Sequence, residues 1–189
     1  MNDLDPEKVA EDAWRVVRES EEAEQQRRTD DLTLKMLRQI LGPAAGMEPP
    51  RFDRNFAERL LQDQAWDKRL AGLVILREYC RAECQGDSSL VAQIAKMSTN
   101  DSHSQVRGVA LHTVGGLLKS SRDPKYGKYL ARLVLDPSLP VSMRASAYIG
   151  LCDLHGVAVP IIHEPAELMR QVDEDMLHWY AGRETSHRV

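Results

Sequence analysis

Three groups of residues have types and spacings that could do chemistry. Cys80 and Cys84, in YCRAEC, lie one helical turn apart and could grip one edge of a metal ion. A closed metal site needs a second Cys or His pair at finger spacing, and none follows. The two thiols therefore read as small apolar filling, one of them partly exposed. Six histidines, His103, His112, His155, His163, His178 and His187, are scattered without ligand spacing. His112 shares a helix side with Gly108 and Gly115 and could point into a groove, although a surface bystander is the simpler reading. HTVGGLLK holds two adjacent glycines, but mid-helix rather than between a strand and a helix, so a phosphate cradle has no scaffold. No catalytic, cofactor-binding or metal-binding set emerges, and the sequence reads as that of a non-enzyme that needs no cofactor.

The elements that would position a binding surface are helices. Only 5% of the 189 residues are aromatic, and Leu, Ala, Val, Arg and Glu are plentiful without β-type alternation, which favours an all-α fold. The net charge of −4 is uneven: residues 1–50 hold 12 acids and 7 bases, 161–189 hold 6 and 3, and 51–160 hold 11 and 15. The mildly basic middle lacks the clustered basic face of a nucleic-acid footprint. Three cysteines without a disulfide framework, an acidic start without a signal h-region and no long apolar run point to a cytoplasmic protein with no membrane span.

Asp5 and Pro6 open a first helix with Val9, Ala13, Trp14 and Val17 on one face. The polar run RESEEAEQQRRTDD reads as a solvated extension, Leu32–Leu41 resumes the helical pattern, and LGPAAGMEPP breaks it. The expected organisation is an N-terminal helical arm over 1–46, a body over 47–156 and a C-terminal capping segment and tail over 157–189. Helices then come in pairs. Phe56–Leu61 precedes Leu70–Tyr79, Leu90–Met97 precedes Val106–Leu118, and Tyr126–Val134 precedes Met143–Leu154.

The second helices repeat. Val106, Arg107, Ala110, Leu111, Val114 and Leu117 fall on Met143, Arg144, Ala147, Tyr148, Leu151 and Leu154, and the preceding pair matches through Arg69, Gly72, Leu73, Leu76 and Tyr79. Self-similarity at this period marks a helical solenoid. Asp101 before VRGVALHTVGGL and Asp136-Pro137 before MRASAYIGLCDL resemble the second half of HEAT repeats, over roughly residues 52–156. The resemblance implies a short, right-handed, HEAT-like (armadillo-like) α-α superhelix of about three pairs. It also implies a polar ladder between adjacent repeats made by Asp101, Asp136, Arg107 and Arg144. Gly72, Gly108, Gly115, Gly116 and Gly150 lie inside helices, where close helix-to-helix approach is the expected reason.

Beyond Gly156, Val157–Ile162 reads as an extended stretch and Pro165 as the start of one final helix carrying Leu168, Met169, Val172, Met176 and Leu177. That helix would cap the stack, or Met169, Met176, Trp179 and Tyr180 would dock a partner or a second copy in a homodimer. The expected function is a protein-binding or adaptor module whose contact surface follows Gln105, Gly108, His112, Gly115 and Lys119 on one second helix. The equivalent line on the next is Ser142, Ala145, Ile149, Cys152 and Gly156. The alternative is a nucleic-acid binder or a DNA glycosylase of the HEAT-like alkylation-repair type, which rests on fold analogy and is disfavoured by a body with one tryptophan, Trp66.

Overall fold

The computed structural model describes residues 52–159 and 164–182, together with Lys35, Leu37 and Gln39. The chain divides into two compact units, 1–50 and 51–189. In the first, the three described positions are helical and Leu37 is buried. The helix expected after Asp5, the polar run beyond it, the LGPAAGMEPP break, residues 160–163 and the RETSHRV tail lie outside the described residues.

The second unit is all-α over its described residues. Its helices are α1 (Arg54–Leu60), α2 (Trp66–Glu78), α3 (Arg81–Cys84), α4 (Ser88–Asn100), α5 (Ser104–Leu117), α6 (Pro124–Leu135), α7 (Val141–His155), α8 (Pro165–Leu168) and α9 (Glu174–Ala181). Aspartate side chains start four of them by accepting from first-turn amides that have no partner inside the helix. Asp53 accepts from Phe56 at 2.7 Å and Asp87 from Leu90 at 2.9 Å. Asp123 accepts from Lys125 and Tyr126 at 2.9 and 3.0 Å, with Pro124 as the first residue of α6, and Asp173 accepts from Met176 at 2.9 Å. At the end of α7, Gly156 takes φ +86°, a left-handed stop that a Cβ would disfavour.

Three helix pairs follow in order: α1 packs on α2, α4 on α5 and α6 on α7. The second helices also pack on one another, α2 on α5 and α5 on α7, and their apolar residues supply most of the core. Leu73, Ile75 and Leu76, then Val106, Leu111 and Val114, then Leu151 and Leu154, are all fully enclosed. Polar links tie the first helices together. Arg54 of α1 pairs with Asp87 at the start of α4, and the Tyr129 hydroxyl of α6 meets Ser98 of α4.

The helical glycines are explained by contact. A Cβ on Gly115 would lie 2.0 Å from the carbonyl oxygen of Gly150, and one on Gly150 would lie 2.5 Å from that of Leu111. The backbones of α5 and α7 therefore touch. Gly116 differs, because a Cβ there would meet the Cγ and Cδ of Arg77 at 2.7 and 2.9 Å, a side chain that can move.

The C-terminal segment corrects one expectation. The single final helix is two, α8 and α9, because Asp173 caps a new start after Leu168–Val172 has turned. Tyr148 fixes that restart, its hydroxyl accepting from the Asp173 amide at 3.0 Å. α9 packs on α6, with Met176, Leu177 and Tyr180 buried and the Tyr180 ring seated over Gly127. Of the expected docking patch, Met176 and Tyr180 are thus inside the structure, Met169 is half-buried, and Trp179 alone is exposed, at 57%.

The backbone contact predicts an asymmetry between neighbouring glycines. Gly115→Ala forces two helix backbones apart and should cost about 3 kcal/mol, as overpacking does, lowering Tm by roughly 6–12 °C. Gly116→Ala displaces only the Arg77 stem and gains helix propensity, so it should stay within about 1 kcal/mol of wild type. Thermal unfolding followed by circular dichroism separates the two, and equal stabilities would refute the contact.

Candidate functional site

A turn repeats ahead of each second helix. Asp63, Asp101 and Asp136 each accept, through Oδ1, from the amide two residues on, those of Ala65, His103 and Ser138, all at 2.9 Å. The turn aspartate of the first pair is therefore Asp63. Each second helix carries an arginine as its fourth residue, Arg69, Arg107 and Arg144.

These arginines do three different things. Arg69 donates through Nη1 to the carbonyls of Asp63 and Gln64 at 2.9 and 2.8 Å, and through Nε and Nη2 to the carboxylate of Asp101 at 2.7 and 2.8 Å. That bidentate pair joins the first repeat to the second with its side chains only 13% and 6% exposed. Arg69 holds the Asp101 carboxyl below the usual carboxylate range, and the His103 amide adds to this. Arg107 repeats the first half, its Nη1 donating to the carbonyls of Asp101 and Ser102 at 2.8 and 3.2 Å. Its Nε and Nη2 have no hydrogen-bond partner among the described residues. Asp136, the equivalent acceptor, turns its carboxylate to the amide and hydroxyl of Ser138, at 2.9 and 2.6 Å. Arg144 sits eight residues after its turn aspartate, not six, and donates instead to the Val134 carbonyl at 2.8 Å. The expected ladder thus has one rung, Arg69–Asp101, and the resemblance-based roles of Arg107, Arg144 and Asp136 in it are corrected.

A groove of about 490 Å³ lies between the second and third pairs. Gln105, Arg107 and His112 of α5 and Ser142, Met143 and Ser146 of α7 line it, with the ends of α4 and α6 adding Ser98 and Leu133. Leu139 and Pro140 close the turn side. Among the described residues no carboxylate lines it.

The expected contact line meets this groove only in part. Gln105, Lys119, Ser142 and Gly156 are exposed, and His112 and Ile149 are half-buried. Gly108, Gly115, Ala145 and Cys152 are buried. The stripe faces along the stack toward the next element rather than outward. Gly108 abuts Ser146 and Gly115 abuts Gly150, both of α7. Gln105, Gly108, His112 and Ser142 come together at the groove, whereas Lys119 borders a separate recess with Glu78 and Arg81. Arg107 was legible only as a repeat residue and Ser146 was not singled out, and the small polar turns STNDSHS and DPSLP nearby are the signal that could have located the groove.

His112 is not a surface bystander. Its Nε2 is enclosed without a hydrogen-bond partner among the described residues, and burial pushes its pKa down to about 3, with the charge of Arg77 acting in the same direction. Asp153, which no sequence pattern singles out, is half-buried at the far end of α7, and burial raises its carboxyl against the opposing pull of Lys119 and Arg77. Cys80 and Cys84 are both fully buried, so neither is the partly exposed one expected, and burial pushes the Cys80 thiol up to about 11. Trp66, 41% exposed, stacks on His103 at 3.9 Å and 7°. Among the described residues no group of three or more His, Cys, Asp or Glu could hold a metal ion, and no helix is long and apolar enough to cross a membrane.

No family model, curated protein or solved structure matches this chain.

Two titrations test these environments. The Asp101 carboxyl titrates lower in the folded chain than its ordinary value of about 3.9, so its pairing stabilises fully above that value and is lost as pH falls through the depressed one. Asp101→Asn should cost about 1.5–3 kcal/mol at neutral pH, the range for a charged hydrogen bond, and the gap to wild type in urea unfolding should narrow toward pH 3. In NMR, the His112 ring signals should stay constant from neutral pH down to about pH 4.5, given the pKa near 3. A midpoint above pH 5 would show the ring to be solvated.

Proposed function

We propose that this chain is a non-enzymatic, HEAT-like helical-repeat module that binds a protein partner in the groove between its second and third pairs, acting as an adaptor. The observation that carries this reading is the groove itself. Its volume of about 490 Å³ falls in the range of built ligand sites, roughly 300–1,000 Å³. Apolar side chains of Leu133, Leu139, Pro140 and Met143 share it with hydroxyls and the Gln105 amide, the mixture expected where a segment must be both buried and oriented. Both helices that form its walls are fixed to each other by direct backbone contact, so the walls keep their spacing when empty. The sole tryptophan of residues 51–160 is stacked on His103, which weakens the glycosylase alternative because that chemistry uses aromatics on the concave surface.

The groove also identifies the variants that probe it. His112→Glu would place a charge where Nε2 is enclosed and would test folding rather than docking. Ser142 is exposed at the second position of α7, so Ser142→Trp fills the groove from its rim without entering the core. In affinity purification from the native host, proteins retained by wild type should be lost with Ser142→Trp and kept with Lys128→Trp, an exposed position of α6 outside the groove. Equal recovery with both variants, at unchanged helicity, would reject the groove as the docking surface.

A further inference from the structure

We infer that the open Nε and Nη2 donors of Arg107 are the anchor of the groove and take the carboxylate of an aspartate or glutamate in an extended segment of the protein partner. This pairing presupposes that the groove is the docking surface, and it names the chemistry that surface selects.

The chain contains its own template for the contact. Arg69, at the same helical position, uses Nη1 on two turn carbonyls and presents Nε and Nη2 as a fork to the carboxylate of Asp101. Arg107 is held by the corresponding two carbonyls, five and six residues before it, which fixes its guanidinium in the same way. Arg107 lines the groove, where no carboxylate is found among the described residues, and Asp136, bonded to Ser138 through Oδ1, makes no hydrogen bond or ion pair with it. Arg107 makes no ion pair among the described residues, whereas Arg69 and Arg77 each make one and Arg54 makes two. A guanidinium and a carboxylate match as two parallel hydrogen bonds, a geometry that an ammonium does not reproduce.

The surroundings favour the same charge. Ser104, Gln105 and Ser142 of the groove belong to the first turns of α5 and α7, helices of 14 and 15 residues. Neither helix has an acidic residue in its first turn or a side-chain cap on its amides; the Asp101 carboxylate that meets the His103 amide ahead of α5 is already paired with Arg69, and the first turn of α7 carries no carboxylate. The hydroxyls of Ser98 and Thr99 already donate to the Ala95 and Lys96 carbonyls, so of the lining hydroxyls Ser146 and those of the first helical turns are the ones that can donate to an anion. These helix ends assist, while the unpaired half-buried fork of Arg107 defines the site.

The test uses the full chain as bait for a phage-displayed library of random dodecapeptides, selected at low salt. Enriched peptides should share an Asp or Glu, and changing that residue to Asn or Gln should weaken binding at least about tenfold, the loss expected when one partner of a desolvated charge pair is removed. Gln105→Glu and Ser142→Glu, each adding a negative charge beside the fork, should weaken the same peptides by at least about tenfold. Both positions are exposed and lie in a first helical turn, where glutamate is favoured, so the variants should fold at least as well as wild type. Arg107→Gln should also abolish the acid preference, but it removes two carbonyl contacts, so the glutamate variants decide the matter. Peptides blocked by Ser142→Trp yet indifferent to loss of their acid would leave the groove as a docking surface and overturn the carboxylate. An empty selection, or peptides indifferent to Ser142→Trp, would overturn both.

Discussion

The contact between the backbones of Gly115 and Gly150 sets the geometry of the repeat body. Side chains normally hold packed helices 8–10 Å apart. Here a single Cβ would fall 2.0 Å from a carbonyl oxygen, so α5 and α7 approach as closely as main chains permit. Each glycine loses roughly 0.5–1 kcal/mol of helix stability relative to alanine. The offset comes from the flanking residues, because close approach encloses Leu111, Val114, Leu151 and Leu154 completely. It also fixes the walls of the groove. With Gly108 against Ser146, about two turns before the glycine contact on α5 and about one on α7, the first turns of the two helices are carried at a set distance, and the groove lies where they open toward α4 and α6.

The second organising feature is the aspartate turn followed by an arginine. Three copies share an Asx hydrogen bond and an arginine at the fourth position of the helix, yet only the first forms an ion pair with the following turn. The difference has a local cause. From turn aspartate to arginine there are six residues in the first two copies and eight in the third, where DPSLP lengthens the connection. The longer turn carries Asp136 to Ser138 and Arg144 to the Val134 carbonyl, and Arg107 is left without the acceptor that Arg69 has. A change of two residues in one loop converts a structural rung into an open fork.

Much of this architecture was legible in the sequence, for reasons that differ between elements. Helix starts at Asp53 and Asp123 were readable because capping is local: the aspartate and the amides it accepts lie within three residues. The pairs were readable because Leu76, Val114 and Leu151 recur at repeat spacing and all face inward. The contact line was not, since helical spacing gives a face but not what covers it. Gly108, Gly115, Ala145 and Cys152 share a stripe with exposed Gln105 and Ser142, and only the packing of the next element shows that the stripe looks along the stack. Small residues there meant contact with another helix of the same chain, a pattern that docking surfaces and interhelical seams have in common. The open state of Arg107 was hidden for a related reason, because it depends on where a carboxylate 29 residues later points, not on the arginine or its neighbours.

The proposed docking chemistry follows from how firmly that arginine is held. A lone surface arginine loses side-chain freedom when it binds, which subtracts from whatever its hydrogen bonds contribute. Arg107 has lost part of that freedom already, since the carbonyls of Asp101 and Ser102 fix one end of its guanidinium. An incoming carboxylate meets a fork whose plane is set, beside helix ends that reinforce the charge. The same two carbonyl bonds make Arg69 a rigid half of a buried ion pair, so the fold needs no separate device for recognition. Repetition supplies the preorganised group, and the one place where the repeat is out of register leaves it available.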